Sequence, residues 1–284
     1  MKWKKLIFNT SIGLMVLGGI TLALGVVTGG KVYIANADLN DLALKDKTSD
    51  SSNLMLTMEP LNDFNQIMMD IDFANIEILP SEDNQSYLSY QIVNENHPQS
   101  LEYQVDKDTL RITKKRNQWD AYIDISFVSH LFSSGTTKKV DETKITLYLS
   151  KDKELSELTL AIIKGDLRIQ QLNSLSTDIY LEMGDLEINN SHLNQAKVVS
   201  DLGNITGSQL MISGNSLFES EMGDIQLELL PKTLKTTQFS LQTELGTLQI
   251  PNLSGDLTEH TFDSTQEFPN TLRITSELGD IILR

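Results

Sequence analysis

Six glycines recur through the C-terminal half of the chain, each inside a short run of alternating apolar and polar residues. They are Gly165, Gly184, Gly203, Gly223, Gly246 and Gly279, and the segments around them are KGDLRI, MGDLEI, LGNITG, MGDIQL, LGTLQI and LGDIIL. Self-similarity at a period of roughly 20 residues is typical of stacked units, none of which can bury its apolar row alone. This repeat constrains the fold more than any other feature of the sequence.

The apolar positions around each glycine recur with a period of two. They stand five, three and one residues before the glycine and two and four residues after it, with mostly polar residues between them. The third position before the glycine is Ser or Thr in four of the six repeats, and these small side chains are expected to stack inside. A period of two lines one face of a strand, so all five positions are expected to face a core. Glycine permits a corner with positive φ, and the Asp or Asn that usually follows can bond to the local backbone. The sequence therefore predicts an all-β protein, a single-stranded parallel β-solenoid with six coils over residues 158–284.

Residues 61–157 also carry the alternation of strands and are predicted to form an N-terminal β region with a cap. The stretch from Trp119 to Phe132 is rich in aromatic residues. We expect it to cover the open end of the stack, because end coils need covering. The alternative is a patch that faces a membrane or a partner.

The N-terminus carries lysines followed by an apolar run. Residues 1–5 are predicted as a cytoplasmic tip, 6–28 as a transmembrane helix and 29–60 as an extracellular linker, because lysines favour the cytoplasmic side. A signal peptide cleaved after Ala37 is the alternative, since Ala35-Asn36-Ala37 resembles a cleavage site. The distance of that site from the apolar run, with Lys31 between, favours the anchor. The predicted location is the cell membrane, single-pass, with an extracellular C-terminal domain.

The net charge and the absence of cysteine limit the kinds of partner and site that the sequence allows. Residues 1–37 carry four lysines and no acid, and the remainder has a net charge of −20, which gives −16 overall. Such a surface repels phosphates, so no nucleic acid is expected, whereas cations, cationic peptides and basic envelope proteins would be attracted. The chain has no cysteine, which excludes disulfides and thiolate sites and points to a Gram-positive surface.

The sequence resembles a family of bacterial cell-envelope proteins of unknown function, described as proposed adhesins built from β-strand repeats. The resemblance rests on DIDFANIEI, KDTLRIT, ITLYLS and the repeated G-D-[IL] segments, and it covers residues 67–284. It implies a β-repeat fold, often behind a short N-terminal membrane segment, and no catalytic residues or cofactor.

No catalytic or metal-binding motif stands out in the sequence. The four histidines lie far apart, and no nucleophile elbow, phosphate loop or zinc-protease motif occurs. We therefore expect no enzymatic activity, no catalytic residue, no bound metal and no cofactor.

Acidic residues flank the corner glycines and form one candidate site. Stacking would bring them into an acidic ladder that attracts a cation or a basic partner, although corner capping and solubility account for it without any ligand. Its members are Glu182, Asp185, Asp201, Glu221, Asp224, Glu244, Glu277 and Asp280.

Three functions are compatible with these features. The first is a non-enzymatic extracellular module for cell-envelope interaction or envelope-stress signalling. The second is a structural or regulatory partner of a neighbouring membrane protein, acting through an anchor helix whose glycines permit close packing. The third is a polysaccharide-active enzyme, which the scarcity of aromatic residues and of paired carboxylates in a groove disfavours.

Overall fold

The computed structural model describes residues 54–92, 101–114, 143–251 and 253–284, all within one unit, Ser52–Arg284. The first strands are β1 (Leu54–Pro60), β2 (Gln66–Phe73), β3 (Asn75–Pro80), β4 (Tyr87–Ile92), β5 (Glu102–Asp106), β6 (Thr109–Lys114) and β7 (Lys144–Leu149). The next are β8 (Glu154–Leu155), β9 (Glu157–Lys164), β10 (Leu167–Gln170), β11 (Asn173–Ser174), β12 (Thr177–Met183), β13 (Leu186–Asn189), β14 (His192–Asn194), β15 (Ala196–Leu202) and β16 (Ile205–Ser213). The remainder are β17 (Asn215–Met222), β18 (Ile225–Leu229), helix α1 (Pro231–Thr236), β19 (Thr237–Leu245), β20 (Leu248–Gln249), β21 (Gly255–Leu257), β22 (Thr261–Ser264), β23 (Asn270–Leu278) and β24 (Ile281–Leu283).

The strands form two mixed sheets, so the predicted single parallel solenoid is wrong. One sheet has 13 strands and includes β1, β4 and β7 in antiparallel pairs. The other has 11 strands in the order β21-β22-β19-β23-β17-β15-β12-β9-β2-β6-β5, with antiparallel pairs at both ends. At the two ends of the 11-stranded sheet, the physical reason is connection length. A link as short as the two residues between β5 and β6 permits only antiparallel pairing, because parallel neighbours need a long crossover.

The repeat strands of the 11-stranded sheet pair in parallel, and their spatial order departs from chain order at one place. Strands β9, β12, β15 and β17 follow one another in sequence, but β23 then lies between β17 and β19. The outer edge of β19 pairs instead with β22, the second strand of the hairpin between Gly255 and Ser264. The last glycine corner therefore stacks directly on the corner of Gly223.

The core lies between the sheets and is built from the alternating apolar positions, as the sequence predicts. The residues five before the corner glycines, such as Ile179, Val198 and Phe218, are fully buried. Three residues before the glycines, a row of small hydroxyl side chains is buried across neighbouring strands: Ser200, Ser220, Ser276 and Thr243. The hydroxyls of Thr243 and Ser276 donate to the carbonyl oxygens of Gly279 and Gly223, which lets these polar groups stay inside.

The position immediately before each glycine does not face the core, which corrects the expectation that it would. The burial pattern of β12 alternates until Leu181 and then ends with two exposed residues, and β17, β19 and β23 end in the same way. The alternation stops because the chain begins to turn toward the corner before the glycine is reached. Two consecutive side chains at the end of these strands therefore point outward.

The described residues contain no helix long and apolar enough to cross a membrane, and their one helix, α1, has six residues. The predicted single-pass placement in the cell membrane is corrected accordingly. The predicted anchor (6–28), the cleavage site at Ala37 and the aromatic stretch 119–132 lie outside the described residues.

Candidate functional site

The corner glycines stack so closely that no side chain fits at their positions. Gly203 and Gly223 have φ of 145° and 153°, within the region that L-residues avoid. A Cβ on Gly203 would overlap the carbonyl oxygen of Gly184, and one on Gly223 would overlap that of Gly203. Glycine is therefore required here for both conformation and close backbone approach.

The residues directly after the corner positions form a ladder of hydrogen bonds between neighbouring corners. We define the corner ladder as Asn75, Asp166, Asp185, Asn204, Asp224, Asp280 and Thr247. Each Asp or Asn accepts a hydrogen bond through Oδ1 from the backbone N–H of the next member, at 2.7–3.0 Å. Three predicted site residues, Asp185, Asp224 and Asp280, belong to this ladder. One oxygen of each thus satisfies a backbone donor of the neighbouring corner.

The other predicted acids form a separate line on the outer face of the 11-stranded sheet. We call this line the acidic row: Glu182, Asp201, Glu221, Glu277 and Glu244, in spatial order. The strand register places them on five adjacent parallel strands, so neighbours are about 4.8 Å apart along the stack. Asp201 is half-buried and the four glutamates are exposed. The structure thus separates the predicted site residues into two parallel sets.

The acidic row raises the negative potential around Tyr180. The Tyr180 hydroxyl donates to Asp201 Oδ2 at 2.6 Å. This hydrogen bond is the main cause that raises the pKa of Tyr180 to about 12, followed by loss of solvent and by the negative charges of Asp201, Glu182 and Glu221. The carboxylates of three neighbouring strands therefore act on one phenol, which is the effect expected of closely spaced like charges.

An exposed apolar row runs beside the acidic row and was missed from the sequence. We define the apolar row as Met183, Leu202, Met222, Leu278 and Leu245, the residues directly before five corner glycines. Met183, Met222, Leu278 and Leu245 are 43%, 46%, 44% and 69% exposed, and Leu202 is half-buried. The lysine at the equivalent position of the first repeat, Lys164, was the available signal, because lysine is rarely placed in a core.

Basic side chains on this sheet face stand away from the acidic row. Lys197 and Arg273 lie four residues before Asp201 and Glu277 on the same strands, about 13 Å along the strand. Within the part of the chain that the structure describes, no ion pair joins Glu182, Glu221 or Glu277 to a basic side chain. The described residues also hold no group of three or more metal-ligating side chains. The face offers charge, without the converging ligands that a calcium site requires.

A seventh corner, without glycine, was also missed. Ala74 stands at the glycine position between β2 and β3, and its carbonyl oxygen lies against Gly165. Asn75 then begins the corner ladder by accepting from the N–H of Asp166 at 3.0 Å. The segment FANIEI has the same pattern as MGDLEI, and only the replacement of glycine by alanine concealed it.

The comparisons with known proteins support the family suggested by the sequence. Residues 150–284 match the model of the Toastrack DUF4097 family. No curated protein matches the chain significantly. The resemblance inferred from the sequence is confirmed by this match, although the Gly-Asp-Ile/Leu detail of the repeat is not shown by it.

Several solved structures are similar over most of their length. A proposed cell adhesion protein from Clostridium sporogenes is 12% identical, with 81% of this chain and 97% of that chain covered and a TM-score of 0.47. A proposed adhesin from Bacteroides fragilis is 15% identical, with the same coverage and a TM-score of 0.43. A proposed lipid binding protein from Parabacteroides distasonis is 13% identical, with 80% and 95% covered and a TM-score of 0.30.

The family match names a domain and assigns it no activity, so the predicted role as a non-enzymatic surface protein stays a prediction. Membrane anchoring and envelope-stress signalling are not shown by it.

Proposed function

We propose that this chain is a non-enzymatic interaction protein that binds basic partners on the outer face of its 11-stranded sheet. The observation that carries the proposal is the acidic row, in which five carboxylates stand on five adjacent strands. A regular line of like charges concentrates negative potential along the stack and favours a cationic partner that spans several strands.

Cationic peptides and basic proteins of the cell envelope are the partners that this charge suits. The resemblance of the sequence to cell-envelope proteins favours a role in envelope contacts or envelope-stress signalling. A protein of net charge −16 associates faster with a basic partner, because opposite charges attract. It repels nucleic acid, so nucleic-acid binding is unfavourable.

A direct test compares oligolysine binding to the full-length chain and to two charge-matched triple variants. The first neutralises the acidic row by Glu182→Gln, Glu221→Gln and Glu277→Gln. The second removes three exposed acids elsewhere by Glu102→Gln, Asp106→Asn and Asp256→Asn. Fluorescence anisotropy at low ionic strength measures the affinity of labelled oligolysine for each protein.

We expect the acidic-row variant to lose about tenfold in affinity, because each exposed charge contact contributes about 0.5 kcal/mol. The control variant changes net charge equally and should lose about twofold or less. Equal losses in the two variants, or no binding of oligolysine to the parent protein at low salt, would reject the proposal.

A further inference from the structure

We propose that the apolar row and the carboxylates on its two sides form a docking surface for a basic amphipathic helix of a protein partner, laid across the strands. We call this surface the amphipathic edge: the apolar row together with the acidic row and the corner-ladder aspartates Asp185, Asp224 and Asp280. The inference rests on the proposed binding of basic partners and specifies the partner's shape.

The side chains of the apolar row lie next to one another on adjacent strands and form a continuous stripe. Its members pair in register, Met183 with Leu202, Leu202 with Met222, and Met222 with Leu278. Leu245 continues the line beside Leu278. Scattered exposed hydrophobic residues need no explanation, but a contiguous exposed stripe marks an interaction surface.

The spacing of the row selects a helix over an extended peptide. Adjacent strands lie about 4.8 Å apart, and an α-helix advances about 5.4 Å per turn, so each turn can lie over one strand. An extended peptide repeats its same-face side chains about every 6.7 Å. Across the four gaps of the row the mismatch is about 2.4 Å for a helix and about 7.6 Å for a strand. A helix of about 13 residues spans the row.

The charges on both sides of the row define the composition of that helix. The acidic row stands one residue before the apolar row on each strand, and the corner ladder stands two residues after it. A helix with a narrow apolar stripe, flanked on both sides by Lys or Arg, therefore matches the surface in polarity and sign.

The same charges disfavour other occupants. A second copy of this chain would place acidic row against acidic row, which repels. An anionic lipid surface would be repelled for the same reason. A basic amphipathic helix can bury the apolar row and, at the same time, place its Lys or Arg side chains beside the carboxylates that flank the row.

The amphipathic edge has a defined end at β9. On β9, Ile163 stands at the position of the acidic row and Lys164 at the position of the apolar row. An apolar residue thus replaces the acid, and a basic residue replaces the apolar one. The docking surface accordingly extends over the five strands β12, β15, β17, β23 and β19.

The test uses a labelled helical peptide of about 14 residues, made of Leu in a helical stripe flanked by Lys. Two comparison peptides carry the same residues in scrambled order, and Glu in place of Lys. Binding to the full-length chain is compared with binding to the edge variant Met222→Gln plus Leu278→Gln. The matched control is Met55→Gln plus Leu175→Gln, which removes one exposed Met and one exposed Leu elsewhere, 68% and 45% exposed.

We expect the edge variant to bind the helical peptide about tenfold more weakly, because two half-exposed apolar side chains lose their burial. The control variant should stay within about twofold, and the scrambled and Glu peptides should bind at least about tenfold more weakly. Oligolysine should bind the edge variant as it binds the parent protein. This last comparison separates the two proposals, because oligolysine has no apolar stripe.

Equal binding of the helical peptide to parent and edge variant would overturn the docking surface while leaving the binding of basic partners intact. Equal affinity for helical and scrambled peptides would also overturn it. The third contrary result is binding of the parent, but not of the edge variant, to anionic phosphatidylglycerol vesicles, which would assign the row to a membrane.

Discussion

The corner ladder and the acidic row lie on either side of the same glycines, and they use acidic residues in opposite ways. In the ladder, Asp224 accepts the backbone N–H of Asp280 at 2.8 Å, so its carboxylate holds two repeats in register. In the acidic row, Glu221 points outward at the end of β17 and is exposed. The two positions are three residues apart in the chain. A charge beside a repeat corner thus has a structural task on one side of the turn and none on the other.

The difference has a physical basis in backbone hydrogen bonding. The corner after the glycine leaves backbone N–H groups that no strand partner satisfies, and the side chain of Asp or Asn supplies the acceptor. The residues before the glycine belong to strands whose backbone groups are already paired in the sheet. The side chains of Glu182, Glu221 and Glu277 have no such task and are exposed.

The largest expected effect tests the glycines that separate the two regions. Gly203→Ala should lower the free energy of unfolding by about 3 kcal/mol or more, because the methyl group would overlap backbone at positive φ. The control is Gly207→Ala, where the atoms nearest to the new Cβ belong to the side chains of Leu210 and Leu227 and not to the backbone. Urea denaturation of both variants measures the difference. Similar losses at both positions would contradict the stacked-corner account.

The next effect concerns the buried position three residues before the corner glycines, which continues in strand register to a buried lysine on β6. Lys114 pairs with Ile71, is 1% exposed, and donates through Nζ to the carbonyl oxygen of Phe73 at 2.7 Å. Loss of solvent lowers its pKa from 10.5 to about 8, against the opposing charge of Asp72. Lys114→Met should therefore raise stability at neutral pH by about 2 kcal/mol, after allowance for the lost hydrogen bond.

The sign of the pH dependence follows from that lowered pKa. Between pH 8 and 10.5 the unfolded chain binds more protons at this lysine than the folded chain does, so stability rises with pH there. The advantage of Lys114→Met should shrink from about pH 7 to about pH 9.5. Parallel melting curves across this range give the measurement, and a constant difference would show that Lys114 keeps its usual pKa.

A smaller effect separates the ladder from the acidic row directly. Asp224→Ala should cost about 1 kcal/mol, because it leaves the N–H of Asp280 without its acceptor. Asp224→Asn should be nearly neutral, since Asn204 already performs the same task in the ladder. Glu221→Ala should change stability by about 0.5 kcal/mol or less. A larger cost for Glu221→Ala than for Asp224→Ala would reverse the assignment of the two regions.

The smallest effect is local to the acidic row and is spectroscopic. The pKa of Tyr180 is raised to about 12, chiefly by its hydrogen bond to Asp201. Asp201→Asn should bring the pKa of Tyr180 back toward 10, its usual value. Ultraviolet titration of tyrosinate, with Tyr180→Phe to identify the signal, follows this group. An unchanged titration in Asp201→Asn would show that the carboxylate does not act on Tyr180.

The repeat could be predicted from sequence because its strands obey one local rule, alternation around a glycine. That rule located the buried hydroxyl row and the acidic row at Glu182 and Glu221. It failed at Met183, because alternation cannot reveal where a strand begins to turn. It also failed on the order of β23 and β19, since pairing between distant strands depends on the hairpin at β22, which no local pattern encodes. The corner at Ala74 was hidden by a single methyl group.

Methionine methyl NMR tests most directly the central claim, that the amphipathic edge binds a basic amphipathic helix. Met183 and Met222 lie on the edge, Met69 is buried at 1% exposure, and Met55 is 68% exposed on β1. Titration of the full-length chain with the Leu/Lys helical peptide should shift the methyl signals of Met183 and Met222. The signals of Met69 and Met55 should stay in place. Equal shifts at Met55 and Met222, or none at Met183 and Met222, would contradict the account.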